Sequence, residues 1–360
     1  MASARSRRPV GAVLAGALLA FLVGAVTFGS TAHAASTNPV LVSRSIEEPV
    51  GTKLRRGVLA RSAESWTGGP ITASTGETVT VFVSDTYTPD QVTPQYWAEF
   101  LAHLTHGTEL STLKVYIAPF AEVSSMCGPQ ALGCYGDDEL VAIGEPYLDG
   151  TTPEEVVRHE YGHHIAFSRS NPPWEAIDWG PKLWASSENV CSKVTQRQAF
   201  PGDEGEHYQL NPGEAWAETY RLMDERKAGI TTASWQIVSP SFYPGEAQLQ
   251  AAEKDVVSPW TTAQTRRYQR VFRARTKKVW TIPISTPLDG TIAVSALVPK
   301  GSQDQVVLSS ANGRKVLQKA VRSGTRTMSL SSTVCGQRTL AVRVTQKGAI
   351  GRVSVVMSTP

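Results

Sequence analysis

The apolar and polar positions of this chain follow two patterns, and the change between them falls near residue 277. Before residue 277, segments in which apolar residues alternate as in strands are interspersed with segments in which they are spaced as in helices. Strands are predicted at 78–83, 113–118 and 140–143, and helices at 94–106, 153–164, 212–223, 246–256 and 263–273. This order predicts an α+β domain over residues 76–275, with a small sheet packed on helices.

After residue 277 the chain consists of short β-branched runs separated by turns that contain glycine. This texture predicts a small antiparallel β-sandwich over residues 276–360. Its Leu288-Asp289-Gly290-Thr291 sequence, with the alternation at 339–344 and 353–356, resembles the bacterial pre-peptidase C-terminal domain. That resemblance implies an accessory module of a secreted peptidase.

The first 34 residues have the organisation of a secretory signal peptide. Three arginines precede an apolar run at 10–28, and Ala32-His33-Ala34 supplies small residues at a cleavage site. A retained membrane anchor is the alternative; we expect cleavage and a secreted, extracellular protein. Residues 35–75 are polar and rich in turn formers, which predicts a linker or short propeptide.

Net charge argues against nucleic-acid or membrane partners. The chain has 35 basic and 32 acidic residues. The signal peptide contains three arginines and no acid, so the remainder holds 32 of each. No basic stripe is left to bind nucleic acid or an anionic membrane. We expect a monomer whose partner is a protein or peptide substrate.

Four cysteines in an exported chain favour two disulfides. Cys127 and Cys134 bracket a short, turn-rich loop that a disulfide could close, which leaves Cys191 and Cys335 by elimination. Two other pairings are possible. A cysteine-ligated zinc site is a weaker interpretation, because no pair has the spacing of a zinc knuckle.

The candidate chemistry lies on the helix that follows Thr152. Thr152 is a good N-cap, with Pro153 at the first helical position and Glu155 placed for a capping box. His159 and His163 are four residues apart, so both imidazoles can hold one metal ion. Together with Glu160 they form a His-Glu-x-x-His motif, in which the glutamate is a general base.

A catalytic zinc site needs a third protein ligand. Ala166 and Arg169 occupy the positions where a metzincin requires glycine and histidine, so that class is excluded. The loop after the motif offers Glu175, Asp178 and Glu188, and His207 is a further candidate. We favour Glu214, at the start of a predicted helix.

Glu214 and Glu218 lie four residues apart, and their Glu-x-x-Ala-Glu sequence resembles the third-ligand helix of gluzincin-type zinc metallopeptidases. The resemblance implies a zincin-like catalytic domain in which Glu214 binds Zn²⁺. It also implies that Glu218 supports a ligand histidine from the second shell. His164 is expected to be structural or in the second shell as well.

These residues predict a secreted zinc metallopeptidase. Glu160 would take a proton from the attacking water and pass it to the leaving amine. Such sites often add a donor for the oxyanion, and Tyr208 is our choice over His207, Tyr220 and Tyr243. The alternatives are an inactive peptidase-like binding protein and a zinc hydrolase of non-protein amides or esters.

Overall fold

The computed structural model describes residues 66–88, 90–274, 278–323, 326–336 and 338–360. All of them belong to one compact unit, Leu41–Pro360. The expected signal peptide and residues 35–65 of the expected linker lie outside the described residues. Within the described ranges, no helix has the length and apolar character needed to span a membrane.

The first part of the chain is a mixed α/β structure built on a five-stranded sheet. The strands are β1 (Trp66–Thr72), β2 (Thr78–Ser84), β3 (Lys114–Ala118), β4 (Gly133–Gly136) and β5 (Glu139–Ile143). Their order is β1-β2-β3-β5-β4, with β2, β3 and β5 parallel and the two edge strands antiparallel to their neighbours. Strand β1 therefore corrects the prediction that residues up to 75 form a linker.

Eight α-helices accompany this sheet in the described part of the chain. They are α1 (Pro94–His103), α2 (Phe120–Cys127), α3 (Pro153–Phe167), α4 (Ala176–Trp179), α5 (Lys182–Ser187), α6 (Val190–Thr195), α7 (Pro212–Lys227) and α8 (Glu246–Val257). One apolar core joins the sheet to α1, α3 and α7. Its centre includes Ile117, Val157, Tyr161 and Trp216, all fully buried.

Two four-stranded antiparallel sheets make up the C-terminal part. Their strands are β6 (Gln264–Val271), β7 (Val279–Ser285), β8 (Gly290–Leu297), β9 (Gln303–Ser310), β10 (Val316–Ser323), β11 (Thr327–Val334), β12 (Thr339–Thr345) and β13 (Arg352–Thr359). The orders are β10-β9-β12-β7 and β11-β8-β13-β6. Inward side chains of both sheets share one apolar core, as in a β-sandwich.

The predicted helix at 263–273 is wrong, because most of this segment forms strand β6 (Gln264–Val271). Each residue of this strand pairs with one of β13, from Gln264 opposite Thr359 to Val271 opposite Arg352. Arginine side chains are tolerated there because β6 is an edge strand, and charges on an edge discourage pairing with other chains. Hydrogen bonding to a strand about 90 residues downstream therefore overrides the helix-like spacing of apolar residues in this segment.

The C-terminal sheets are fastened to the first core through helices α5 and α6. A disulfide joins Cys191 on α6 to Cys335, and the second disulfide joins Cys127 to Cys134, so both favoured pairings are confirmed. The buried Lys182 ammonium donates to the carbonyl of Asp289 at 2.9 Å. Asp289 N in turn donates to Ser186 Oγ at 3.0 Å. The disulfide and these hydrogen bonds link helices α5 and α6 to the C-terminal sheets.

Helices α3 and α7 cross with their backbones in close contact. A Cβ added to Gly162 would lie 2.7 Å from the Cα of Ala217. The indole of Trp216 also donates to the Gly162 carbonyl at 2.7 Å. A glycine inside a helix costs about 1 kcal/mol relative to alanine, and the crossing explains why it is present.

Removing the Cys191–Cys335 disulfide should destabilise the protein more than removing Cys127–Cys134. The links span 144 and 7 residues. Loop-closure entropy then gives losses of about 5 and about 2 kcal/mol in the free energy of unfolding. Denaturant unfolding of the two double cysteine-to-alanine variants tests this, and an equal or reversed order would contradict it.

Gly162→Ala should lower the free energy of unfolding by about 1–3 kcal/mol, because the added methyl meets backbone that cannot rotate away. The gain in helix propensity, about 1 kcal/mol, is too small to compensate fully. Denaturant unfolding measures the change. An unchanged or more stable variant would show that the crossing has room for a side chain.

Candidate metal centre and its cavity

Helix α3 presents two histidines to one cavity. The expected capping box is present: Thr152 Oγ1 accepts from Glu155 N at 3.2 Å, and Glu155 Oε2 accepts from Thr152 N at 2.8 Å. This fixes where the helix begins and therefore which residues face inward. The rings of His159 and His163 lie with their centroids 5.1 Å apart.

Helix α7 brings the carboxylate. Asn211 caps it by accepting from Gly213 N at 3.0 Å, and Glu214 follows in the first turn. Glu214 Oε2 lies 3.1 Å from His159 Nε2, and its Oε1 lies 3.4 Å from His163 Nε2. The sequence prediction that these three residues meet agrees with the geometry.

His159, His163 and Glu214 form a buried group that could hold a metal ion. One ligand atom from each lies within 4.8 Å of the others. Their side chains are only 9%, 12% and 5% exposed. Among the described residues, the other candidates for a third ligand do not join this group. Glu188 pairs with Lys193, and His207 pairs with Asp203 at 2.9 Å.

The charges of the group favour a cation. Burial by itself would raise the pKa of Glu214, but the two imidazoles hold that pKa well below its usual range. Burial opposes protonation of His159, yet hydrogen bonding to Glu214 and Glu218 raises the pKa of the imidazole. The carboxylates therefore draw positive charge into the cluster, and a metal ion can supply it in place of protons.

Glu218 supports the group from behind. Its Oε2 lies 3.5 Å from His159 Nδ1. Arg221 donates to both Glu218 oxygens, at 2.9 and 2.6 Å, and Gln236 N donates to Oε1 at 2.7 Å. Burial raises the pKa of Glu218, but the arginine outweighs it and brings the value to about 2. Glu218 thus stays an anion that faces the back of His159.

Glu160 lines the same cavity. It is 9% exposed, and its carboxylate interacts electrostatically with the imidazoles of His159 and His163. Burial raises its pKa. A buried carboxylate of raised pKa takes up a proton more readily than an exposed one, as a general acid-base role requires.

Gly133 on the edge strand β4 makes room for Glu160. A Cβ at this position would lie 2.9 Å from both Cγ and Oε1 of Glu160, and 2.7 Å from Val156 Cγ1. The sequence prediction did not include β4 or this contact. Glycines at both ends of a four-residue strand left too little alternation to recognise it.

Tyr208 is the tyrosine that reaches the metal group. Its hydroxyl donates to Glu214 Oε2 at 2.5 Å. The other two candidate tyrosines form hydrogen bonds away from the metal group: Tyr220 donates to the Thr105 carbonyl, and Tyr243 accepts from Arg226. The imidazole of His207 stacks on Phe200 instead.

His164 serves the fold and does not support the metal group. It is fully buried, with Nε2 2.8 Å from the Glu109 carbonyl and Nδ1 3.0 Å from the Tyr135 hydroxyl. Burial lowers the pKa of this imidazole. Of the two expectations, the structural role fits these contacts, and a second-shell role at the metal group is not found.

The cavity beside these residues has a volume of about 460 Å³. Strand β4 and the loop before it form one wall, and the N-terminal end of α7 with Ile177 and Asp178 forms another. Ile237 also lines it, with a backbone φ of 36° that is unusual for a β-branched residue. No sequence pattern indicates a role for Ile237, because the feature that distinguishes this residue is its backbone conformation.

Comparisons with known proteins identify no family. No family model matches the chain, and no curated protein does. One solved structure with partial likeness is a carbohydrate binding module of Cellvibrio mixtus lichenase 5A in complex with cellotriose. It is 8% identical, with a TM-score of 0.20 over 28% of this chain and 91% of that one.

Another is a structure of Bacillus endospore appendages, described as disulfide-linked pili. It is 13% identical, with a TM-score of 0.20 over 27% of this chain and 88% of that one. Likenesses this weak carry no argument about fold, ligand or activity.

Gly133→Ala should displace the Glu160 carboxylate, since the atoms nearest to the added methyl belong to Val156 and Glu160. We expect a loss of about 1–3 kcal/mol in the free energy of unfolding from overpacking. Divalent-metal affinity should fall much less than in a variant that lacks a ligand, because the three candidate ligand side chains are unchanged. A crystal structure with Glu160 unmoved would contradict this.

Proposed function

We propose that this protein is a secreted zinc-dependent endopeptidase. The observation that carries the proposal is the buried group of His159, His163 and Glu214, with the buried carboxylate of Glu160 in the same cavity. Two imidazoles and one carboxylate are the donor set of catalytic zinc in several peptidases. A zincin-like domain is the corresponding proposal for the fold, supported by helix α3 packed beneath a mixed sheet with an antiparallel edge strand.

The residues divide the reaction between them. Zinc, when bound by His159, His163 and Glu214, would supply Lewis-acid activation of water and of the scissile carbonyl. Glu160 accepts a proton from the attacking water and then donates it to the leaving amine. Its raised pKa suits both steps, because the group must be charged first and neutral next.

Tyr208 is proposed to donate a hydrogen bond to the oxyanion. Its hydroxyl is already in the metal group through Glu214, and the half-buried side chain lines the cavity. Glu218 acts through His159: its carboxylate keeps the imidazole oriented and makes the ring more basic towards a metal. Arg221 holds Glu218 in place for that task.

The charges of the cavity favour binding of an internal segment of a substrate chain over binding of the substrate's C-terminal carboxylate. Apart from the two histidines, Arg221 is the cationic residue among the described residues that line the cavity. Its guanidinium is paired with Glu218 and Glu225, with Arg221 Nη1 2.6 Å from Glu225 Oε2. No cation is therefore left there to bind a terminal carboxylate, which supports an endopeptidase.

Export is supported by two observations. The first 34 residues have the pattern of a signal peptide. All four cysteines are joined in disulfides, which form and persist in oxidising compartments.

The test separates metal binding from chemistry. Glu214→Ala should lower zinc affinity by more than about 100-fold, since even contacts outside the ligand set change it by 10–100-fold. Asp178→Ala, the control, removes a nearby carboxylate and should keep the affinity. Glu160→Gln should keep one zinc per chain and lower kcat on casein by about 10²–10⁴-fold.

Two results would overturn the proposal. If Glu214→Ala kept the zinc affinity of the parent, Glu214 would not be the third ligand. A zinc-loaded parent that hydrolyses amides or esters but leaves casein and unfolded peptides intact would point to a non-protein substrate. A zinc-loaded parent with no hydrolytic activity would favour the binding-protein alternative.

A further inference from the structure

The cavity carries more negative charge than the metal group needs. Seven carboxylates line it among the described residues. Four of them are described above: Glu214 of the metal group, Glu218 behind it, Glu155 of the α3 cap, and Glu160. The other three are Asp137, Asp178 and Glu204. Arg221, the arginine among the described lining residues, pairs with Glu218 and Glu225.

Asp178 lines the same cavity as the metal group. It belongs to α4, whose backbone touches the start of α7: a Cβ on Gly213 would lie 2.5 Å from the Ile177 carbonyl oxygen and 3.5 Å from the Asp178 Cα. Gly213 immediately precedes Glu214. The carboxylate of Asp178 is half-buried and makes no hydrogen bond or ion pair with any described residue.

Glu204 stands on the same side of the cavity. Its Oε1 accepts from Asn211 Nδ2 at 3.0 Å, while Asn211 Oδ1 caps α7. The loop that carries Glu204 also reaches Asp178, since a Cβ on Gly202 would lie 3.1 Å from Asp178 Oδ1. Asn211 thus occupies the amide of Gly213, so Asp178 is not needed as a helix cap.

A carboxylate that is half-buried and unpaired loses hydration without gaining a partner, which is unfavourable in the free protein. A cationic group on a ligand would remove that cost. Ile177 and Tyr208, which line the cavity on the same side, offer apolar surface to the aliphatic part of a lysine or arginine side chain. An anionic side chain would meet repulsion.

We propose that Asp178, assisted by Glu204, forms a subsite for a cationic nitrogen group of the substrate, a lysine or arginine side chain near the scissile bond. This inference rests on the proposed peptidase function and specifies its substrate class. The same chemistry is present in a free peptide amino terminus, so the experiment must distinguish the two sources.

Binding provides a test that does not need turnover. The zinc-loaded Glu160→Gln protein is titrated with two acetylated, amidated decapeptides that differ only by one central lysine or norleucine. We expect the lysine peptide to bind at least about tenfold more tightly at low salt, with less advantage in 1 M NaCl. Equal affinities, or no binding of either peptide, would overturn the subsite.

Two variants assign the effect to the residues. Asp178→Asn, added to Glu160→Gln, keeps the shape of the side chain and should reduce the preference for lysine to about twofold or less. Glu206→Gln removes the same charge from an exposed position of the Glu204 loop, outside the cavity, and should retain the preference. A preference that survives Asp178→Asn would overturn the assignment.

Cleavage by the zinc-loaded parent separates the two proposals. If both peptides are cut at equal rates, the peptidase stands and the subsite fails. If the lysine peptide binds selectively through Asp178 but neither peptide is cut, the subsite stands and the peptidase fails. A norleucine peptide with a free amino terminus completes the set: a preference that follows this amine would overturn side-chain recognition.

Discussion

Helices α3 and α7 cross where Gly162 faces Ala217, and the metal group depends on how close that crossing is. His159 and His163 come from one helix and Glu214 from the other, so the distance between the helix axes sets the distance between the ligands. Only a residue without a Cβ allows the Ala217 backbone to approach so closely. The indole of Trp216 then binds the Gly162 carbonyl and fixes the rotation of α7 about its axis.

Close to this crossing, several charged side chains are buried, and most of them form ion pairs. Arg221 lies between Glu218 and Glu225, and a second pair joins Arg158 to Asp224 at 3.0 Å. These pairs leave Glu160 and Glu214 beside two imidazoles. Buried anions are tolerated only when they are paired or coordinate a metal. The centre is thus built to hold positive charge that its own side chains supply only in part.

Local signals were enough to predict the two helices that carry the metal group. Thr152 and Asn211 cap their helices with their own side chains, so sequence spacing determines which residues share a face. The disulfide pairing followed from a short loop between Cys127 and Cys134. Glu214 was chosen among several acids because it opens a helix.

The features that the sequence could not indicate form only when strands pair with other parts of the chain. Strand β4 exists because β5 offers it an edge, and β6 exists because β13 does. The contact of Gly133 with Glu160 follows from β4, so it was hidden as well. In the sequence Asp178 is a candidate ligand because it is acidic and near the motif. The packing of α4 against α7 places it instead in the wall of the cavity.

The C-terminal sheets contribute to that packing, which argues against treating them as a detachable addition. Lys182 donates to the carbonyls of both Pro172 and Asp289, so one buried ammonium joins the segment before α4 to the strand region after it. Cys191–Cys335 fixes the other end of the same stretch. The cavity wall that carries Asp178 therefore lies in a segment anchored at both ends to the second core, and its position depends on the whole of the described fold.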